Sequence, residues 1–308
     1  MRFVTPLVLI LLQVSPAAAQ TLRVTGTSVA LAPPPGFAPS TRFSGFEHAE
    51  SQSSIMVTEL PGPFAEVSRG LTADTLAARG ITLISSTKQL VDGRQALLLK
   101  ASQPTDGGTA YKWMIVSGDA RATVMIVGTY PQDYESKIGN ALKDSLLTTR
   151  WSVGNASPDQ FEGLGFRISP TASLKVAGRI SNTLMLTESG KMDVQGPNAA
   201  VFIVGTSIGP ADLSDLKAFA VTRASQTEGL RGLKVYEQRP ITIGGEAAYE
   251  LLAEGADVGS GRRVTMYQVV IPDPQGYVLM QGLVAATRAG AVIPEFSKVA
   301  YSFFRVSR

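Results

Sequence analysis

The sequence contains no cysteine in its 308 residues. This absence excludes a disulfide framework, a cysteine metal site and a lipid-modified cysteine that would anchor the chain to a membrane. A chain without these devices must be stabilised by its own hydrophobic core. Its length is sufficient for two domains, each with such a core.

Histidine and excess charge are also scarce. The only histidine is His48, and without a second histidine or a cysteine it cannot build the usual transition-metal site, so we expect a surface residue and no metal. The chain has 28 Lys+Arg and 25 Asp+Glu, with no run of like charge. This balance disfavours nucleic-acid binding and electrostatic membrane binding.

Residues 1–19 have the pattern of a Sec-type signal peptide. Arg2 supplies the positive start, residues 7–12 form a short apolar run, and residues 17–19 form an A-x-A cleavage site. We expect cleavage between Ala19 and Gln20 and a periplasmic or secreted protein. A membrane anchor is the alternative, but the apolar run is far shorter than the ~20 residues that cross a bilayer. No later segment reaches that length without a charge.

The rest of the sequence repeats a set of turn and strand signals. Five pairs of residues recur in the same order, at offsets that never decrease along the chain. Two copies of one domain, with insertions in the second, explain this order; we place them at residues 20–151 and 163–308, with a linker over 152–162. The pairs are Gly36 and Gly165, Gly62 and Gly209, Gly93 and Gly245, Asp119 and Asp273, and Gly128 and Gly282.

Each copy has five strand-like segments and two helical ones. The strands are rich in β-branched and apolar residues, as in SIMVTEL (54–60) and AVFIVGT (200–206), and most are separated by glycine or aspartate turn signals. One helical pattern follows a Gly-Pro pair and is five residues shorter and less regular in the first copy; another helix closes each copy. Short connections favour antiparallel pairing, so each domain should be an antiparallel sheet carrying helices on its faces.

The first copy contains the segments PPPGF (33–37), GFE (45–47), ELPGPFAEV (59–67), VDGRQALLL (91–99), YKWMIV (111–116) and GTYP (128–131). Together they resemble the PsbP/DcrB-like superfamily, and the resemblance extends more weakly over residues 163–308. It implies an α+β fold: two tandem α/β/α sandwich domains, each a central antiparallel sheet flanked by helices. Characterised members mostly bind other proteins, and no catalytic residue comes with the fold. DcrB-type lipoproteins have an anchoring cysteine that this chain lacks, so we expect no lipid anchor.

The segment GTSIG (205–209) matches the G-x-S-x-G pattern of a hydrolase nucleophile, and it lies between a strand and a helix. Ser207 would need a base, yet the only histidine is His48, upstream in the other copy. The first copy makes the same turn with Leu60 at the matching position. These facts favour a structural turn, but a Ser–Lys dyad with Lys217 or another lysine stays open.

Other conspicuous residues have structural explanations. Trp113 and Tyr111 share a strand face, and Tyr267 occupies the position of Trp113 in the second copy, which indicates core packing more simply than ligand binding. Asp119 and Asp273 are expected in turns. The polar segment 187–198 is either a recognition loop or a tolerated insertion.

These observations predict a non-enzymatic periplasmic protein that binds a protein or another envelope component. The groove between the two domains is the expected contact surface. The sequence assigns no binding residue, cofactor or metal, and we expect no nucleic-acid partner and no membrane-spanning segment after signal cleavage. Two alternatives stay open: a serine hydrolase that uses Ser207, and a carrier that holds a small ligand in a deep apolar pocket.

Overall fold

The computed structural model describes residues 20–151, 159–192 and 199–306. The predicted signal peptide, residues 152–158 of the predicted linker and residues 193–198 of the polar segment lie outside these ranges. Residues 20–151 are called the first half. Its elements are β1 (Leu22–Arg23), β2 (Val29–Leu31), β3 (Ala38–Pro39), β4 (Gly45–His48), β5 (Ser53–Pro61), α1 (Phe64–Arg69), α2 (Ala73–Ala77), β6 (Thr82–Val91), β7 (Arg94–Thr105), β8 (Gly108–Gly118), β9 (Ala122–Pro131), α3 (Asn140–Leu147) and β10 (Arg150–Trp151).

Residues 159–306 are called the second half. A 3₁₀ turn precedes the last helix here, as a 3₁₀ turn and a π-helical turn precede α3 in the first half. The elements are β11 (Phe166–Arg167), β12 (Lys175–Ile180), β13 (Thr183–Thr187), β14 (Val201–Thr206), α4 (Leu216–Ser225), β15 (Leu230–Ile243), β16 (Glu246–Asp257), β17 (Arg263–Asp273), β18 (Gly276–Ala285), α5 (Ala289–Tyr301) and β19 (Phe304–Arg305).

Each half contains one seven-stranded antiparallel sheet. The order across the first sheet is β3-β4-β5-β9-β8-β7-β6, and the order across the second is β12-β13-β14-β18-β17-β16-β15. The two orders describe the same topology, because strands at equivalent positions in the two sheets are connected in the same sequence along the chain. The registers agree as well, because Trp113 pairs with Gly128 in the first sheet and Tyr267 pairs with Gly282 in the second.

The antiparallel pairing predicted from the sequence is confirmed, and all ten predicted strands form. Two further strands at one side of each sheet were missed: β3 and β4 in the first, β12 and β13 in the second. In the first sheet, the missed strands have only two and four residues. Segments this short carry too few alternating positions for a period-two pattern to be recognised.

The predicted fold class is wrong: the halves are not α/β/α sandwiches with a sheet flanked by helices. Strands make up 49% and helices 19% of the structure, which is mostly β. The eight residues of α3 span about 12 Å, whereas the eleven residues of β8 span about 36 Å. Helices of this size cover only part of a seven-stranded sheet. No helix in the described ranges is long and apolar enough to cross a membrane.

The hydrophobic core lies on both faces of each sheet. In the first half, α3 packs Leu142 and Leu146 on one face, while the opposite face carries Leu99, Met114 and neighbouring side chains beneath α1. In the second half α5 and α4 pack on the two faces in the same way. The helical segment after β5 is short and broken in the first half, where α1 has six residues, but α4 has ten. This difference was expected from the sequence, and it leaves more of the first sheet uncovered.

Glycine in β9 and β18 gives the last helix of each half room to approach. A Cβ at Gly282 would lie 2.4 Å from the ring of Phe296, and a Cβ at Gly128 would lie 3.3 Å from Leu142. We expect Gly282→Ala to lower the free energy of unfolding by about 1–3 kcal/mol, because a rigid aromatic ring in a packed core must move. Gly128→Ala is the matched control and should cost less, since a leucine methyl can shift.

Urea unfolding followed by circular dichroism measures both variants. Equal losses at the two positions, or no loss at Gly282, would contradict the close packing of α5 on β18.

Candidate functional site

Ser207 lies just after β14, and its hydroxyl holds a turn together. It donates to the carbonyl of Gly209 at 3.0 Å and accepts from the backbone N–H of Tyr277 at 3.0 Å. Neither bond involves an ionisable side chain that could serve as a base. The first half uses a hydroxyl on the neighbouring strand instead: Thr123 donates to the carbonyl of Gly62 at 2.9 Å. The geometry therefore fits the structural interpretation of GTSIG.

His48 is half-buried at the end of β4. Its Nδ1 lies 2.8 Å from the hydroxyl of Ser51, whose backbone N–H also donates to the ring, and the ring packs beside Phe37 and over Gly36. The histidine is thus part of the β4–β5 connection. No group of three or more His, Asp or Glu residues able to hold a metal occurs in residues 20–151, 159–192 and 199–306.

The aromatic residues singled out in the sequence pack on the cores. Tyr267 is 2% exposed, and Trp113 and Tyr111 are half-buried against the core beneath α3. The ammonium group of Lys100 lies over both rings, at 5.4 Å from Tyr111 and 5.2 Å from Trp113. Lys100 also donates to Glu135 at 2.6 Å. Cation–π contact and an ion pair fix this lysine in place.

A tyrosine–glutamate hydrogen bond occurs on the corresponding face of each sheet. Tyr130 donates to Glu135 at 2.6 Å, and Tyr267 donates to Glu250 at 2.7 Å, with Arg239 completing the second arrangement. Burial, followed by the adjacent glutamate, raises the pKa of both tyrosines. Burial alone would raise the pKa of Glu135, but hydrogen bonds from Lys100 and Tyr130 hold that pKa below its usual value. Each glutamate thus accepts a hydrogen bond from a tyrosine and pairs with a basic side chain.

The two aspartates predicted in turns are confirmed there. Asp119 accepts from the backbone N–H groups of Arg121 and Ala122, and Asp273 accepts from that of Gln275. The polar segment begins with an ion pair between Glu188 and Arg288. Its later residues, 193–198, lie outside the described ranges.

The halves meet at a polar junction around Arg179. Its guanidinium donates to the hydroxyl of Ser44 in the first half at 3.1 Å, and to the carbonyl of Glu162 in its own half at 2.5 Å. Burial lowers the pKa of Arg179, against the opposing effect of nearby carboxylates. Gly26 has a positive φ, and a Cβ there would lie 2.5 Å from the guanidinium, so the close approach requires glycine. A second bridge joins Arg23 to Glu162 at 2.6 Å.

A cavity of about 180 Å³ adjoins this junction. One of its carboxylates, Glu59, accepts from both the backbone N–H and the hydroxyl of Ser28, at 2.7 and 2.6 Å. Most of the polar side chains that line it have hydrogen-bond partners, although the Ser181 hydroxyl has none among the described residues. The cleft between the halves, which the sequence suggested as a contact surface, fits a small structural joint better than a docking site.

A larger concave surface lies at the outer side of the first sheet. It is a groove of about 940 Å³ between α1 and the strands β6 and β7. The strand β6 is the last in its sheet, and nearly all of its residues are exposed. Two of them are large and apolar: Leu90 is 72% exposed and Ile84 is 51% exposed. Residues that line the groove include Phe64, Ala65, Arg69, Lys88, Leu90 and Leu97.

Sequence reasoning missed this groove and named none of its side chains. One indication was present, since the helical segment of the first half is five residues shorter than its counterpart. Whether that shortening exposes Leu90 depends on how α1 packs across the sheet. The sequence does not specify that packing.

No protein-family model and no curated protein matches the sequence. Among solved structures, the chain is similar to cyanobacterial PsbP from Synechocystis sp. PCC 6803, with 14% identity, a TM-score of 0.33 and coverage of 45% of this chain and 95% of that one. It is also similar to a protein of unknown function and putative regulator, PA94, from Pseudomonas aeruginosa, with 18% identity, a TM-score of 0.31 and coverage of 41% and 83%.

A third similar structure is the type VI secretion immunity protein TplEi from Pseudomonas aeruginosa in complex with "L" peptide, with 10% identity, a TM-score of 0.30 and coverage of 87% of this chain and 98% of that one. PsbP is thus among the structural neighbours at low identity. TM-scores near 0.3 are too low for a shared function to follow, and membership of the PsbP/DcrB-like superfamily stays a prediction.

The turn at Ser207 gives a test of its structural role. We expect Ser207→Ala to lower the free energy of unfolding by about 1 kcal/mol, because the Tyr277 N–H loses its acceptor. Thr123→Val is the matched control in the first half and should cost a similar amount.

A fluorophosphonate probe should label neither wild type nor variant; labelling of the wild type that disappears in Ser207→Ala would show a reactive serine instead.

The junction gives a second test. Arg179→Met should lower the free energy of unfolding by about 1.5–3 kcal/mol, the range for hydrogen bonds to a charged group. Arg288→Met is the control, because its ion pair with Glu188 lies within one half and is partly exposed, so its loss should cost less than about 1 kcal/mol. Thermal unfolding by calorimetry distinguishes the two, and equal effects would mean that the hydrogen bonds of Arg179 stabilise the fold no more than a partly exposed ion pair does.

Proposed function

We propose that this chain is an exported, non-enzymatic binding protein that docks another protein on the outer edge of its first sheet. The observation that carries the proposal is the exposure of Leu90 and Ile84 on β6, a ten-residue strand that ends its sheet. Edge strands offer unpaired backbone N–H and C=O groups, and a partner strand can add to them. Large apolar side chains beside such an edge are costly to leave in water, which favours a partner that covers them.

The second sheet supports this proposal by contrast, because its outer strand β15 is protected. Pro240 removes a backbone donor from β15, and the register is interrupted twice by bulges, near Arg231 and near Val235. Charged residues are also frequent along it. Prolines, bulges and charges are the usual protection against edge-to-edge association. The strand β6 contains no proline, one charged residue and one bulge.

The cellular location is proposed from the sequence. Residues 1–19 have the pattern of a signal peptide, and a chain without cysteine has no lipid attachment site and no disulfide to form. A periplasmic or secreted location follows. The partner is then a protein or another component of the cell envelope.

The two alternatives have less support. The hydroxyl of Ser207 is bonded to the backbone rather than to a base, which disfavours a serine hydrolase. A small-ligand carrier would bury most of its ligand in an enclosed pocket. The groove beside β6 lies along exposed strand residues, which suits an extended partner more than an engulfed molecule.

The proposal is tested with the chain as bait in cell-envelope extract. The edge variant Ile84→Lys with Leu90→Lys should recover at least about tenfold less of any partner that the wild type enriches, since buried apolar contacts give way to charges. The control variant, Tyr236→Lys with Val258→Lys, changes two similarly exposed side chains in the second half. Failure of the wild type to enrich any protein over a no-bait column would overturn the proposal, as would equal recovery by the edge variant.

A further inference from the structure

We infer that the groove beside β6 receives an extended, acidic partner segment, which carries carboxylates and apolar side chains on one face. This inference rests on the proposed function and names the chemistry of its partner. The segment pairs with the outer edge of β6 and lays alternate side chains into the groove.

The pairing of β6 with β7 shows how the groove is built. Lys88 pairs with Leu97 and Leu90 pairs with Gln95. Residues directly opposite in a pair, and residues two apart along a strand, share a face of the sheet. These four side chains therefore form the floor, on the face that α1 covers in part, and Phe64 of α1 contributes to the wall.

The equivalent place in the second half is filled. Leu97 and Tyr249 occupy equivalent positions, four residues after the turn glycines Gly93 and Gly245. Tyr249 is 8% exposed and packs with Ala220 and Ala224 of α4. Three residues before these glycines, the polar Thr242 of the second sheet occupies the position of Leu90 in the first. The first half thus combines a shorter helix with a more apolar edge. The two halves share one strand order, so that order requires neither change.

The charge of the groove selects the partner. Two cationic residues, Arg69 and Lys88, line it, and no carboxylate belongs to its lining. Within the described residues, Arg69 donates to the carbonyl of Ala65 in its own helix, and neither cation forms an ion pair. Partner carboxylates placed here would gain charge complementarity without displacing an internal ion pair.

The same charges argue against a second copy as the occupant. Two β6 edges paired about a twofold axis would bring the lysines and arginines of both copies to one surface, where like charges repel. An acidic segment from another protein avoids this repulsion. Because side chains alternate along a strand, its groove-facing residues recur at every second position.

The inference is tested with two labelled peptides that match the ten residues of β6 in length. One alternates valine and glutamate, and the other alternates valine and lysine. Fluorescence anisotropy should show binding of the glutamate peptide at least about tenfold tighter than binding of the lysine peptide, a difference of about 1.4 kcal/mol. Binding should weaken as salt is added, because exposed charges are screened.

Three variants locate the site. Arg69→Glu with Lys88→Glu should reverse the preference between the peptides, and Leu90→Thr, which installs the residue found at position 242, should weaken binding of the glutamate peptide several-fold. Arg231→Glu with Lys234→Glu, on the exposed outer strand of the second sheet, is the matched control and should change nothing. Circular dichroism confirms that each variant is folded.

Equal binding of the two peptides, no binding of either, or an unchanged preference in the Arg69/Lys88 variant would overturn the inference. So would competition by dodecanoate alone, which would indicate an amphiphile, or a Leu90-dependent dimer in sedimentation. The two can fail separately: a partner that the Ile84→Lys with Leu90→Lys variant no longer recovers from extract, together with equal binding of the two peptides, would keep the proposed docking edge and overturn only the acidic-segment inference.

Discussion

Every backbone N–H and C=O in a sheet needs a partner, and this requirement is met by neighbouring strands everywhere except at the outermost ones. The two sheets are open, so each ends in strands that pair on one side only. Burial of the faces under short helices stabilises the interior strands, but it does nothing for the edges. The exposed edge is therefore the place where the fold leaves unused capacity for binding. The residues that protect or expose each edge therefore indicate whether another strand can add to it.

The outer strands β6 and β15 differ in how well they are protected against the addition of another strand. In β15 a proline, two bulges and several charges make the addition of another strand unfavourable, and the helix α4 closes the adjacent face with buried alanines. In β6 the proline and most of the charges are absent, the helix is shorter, and Leu90 points from an edge that is open to water. The two sheets have the same strand order, so that order does not require the difference between β6 and β15.

The strands were predictable from the sequence because each long strand combines β-branched and apolar residues with glycine or aspartate turns at its ends. The pairing followed from the short connections. The amount of helix was not predictable: periodic apolar residues indicate that a helix exists, but its length against the sheet depends on packing, and the helices proved too few and short for a sandwich. The groove was missed for a related reason. Leu90 in "STKQLVDG" looks like any alternating strand residue, and only the position of α1 shows that the described part of the chain leaves it exposed.

Ser207 shows how a motif depends on its surroundings. The pattern G-x-S-x-G gains chemical meaning when a sharp turn projects the hydroxyl towards a base. Here the hydroxyl satisfies the Tyr277 N–H where β14 meets β18, and α4 begins only at Leu216, so no tight strand-to-helix elbow forms. Glycine at position 276 has the positive φ and the empty space that this bond requires, since a Cβ there would lie 2.0 Å from the hydroxyl. The serine and the glycine thus form one structural unit, and the hydroxyl of Ser207 has a structural role at this turn.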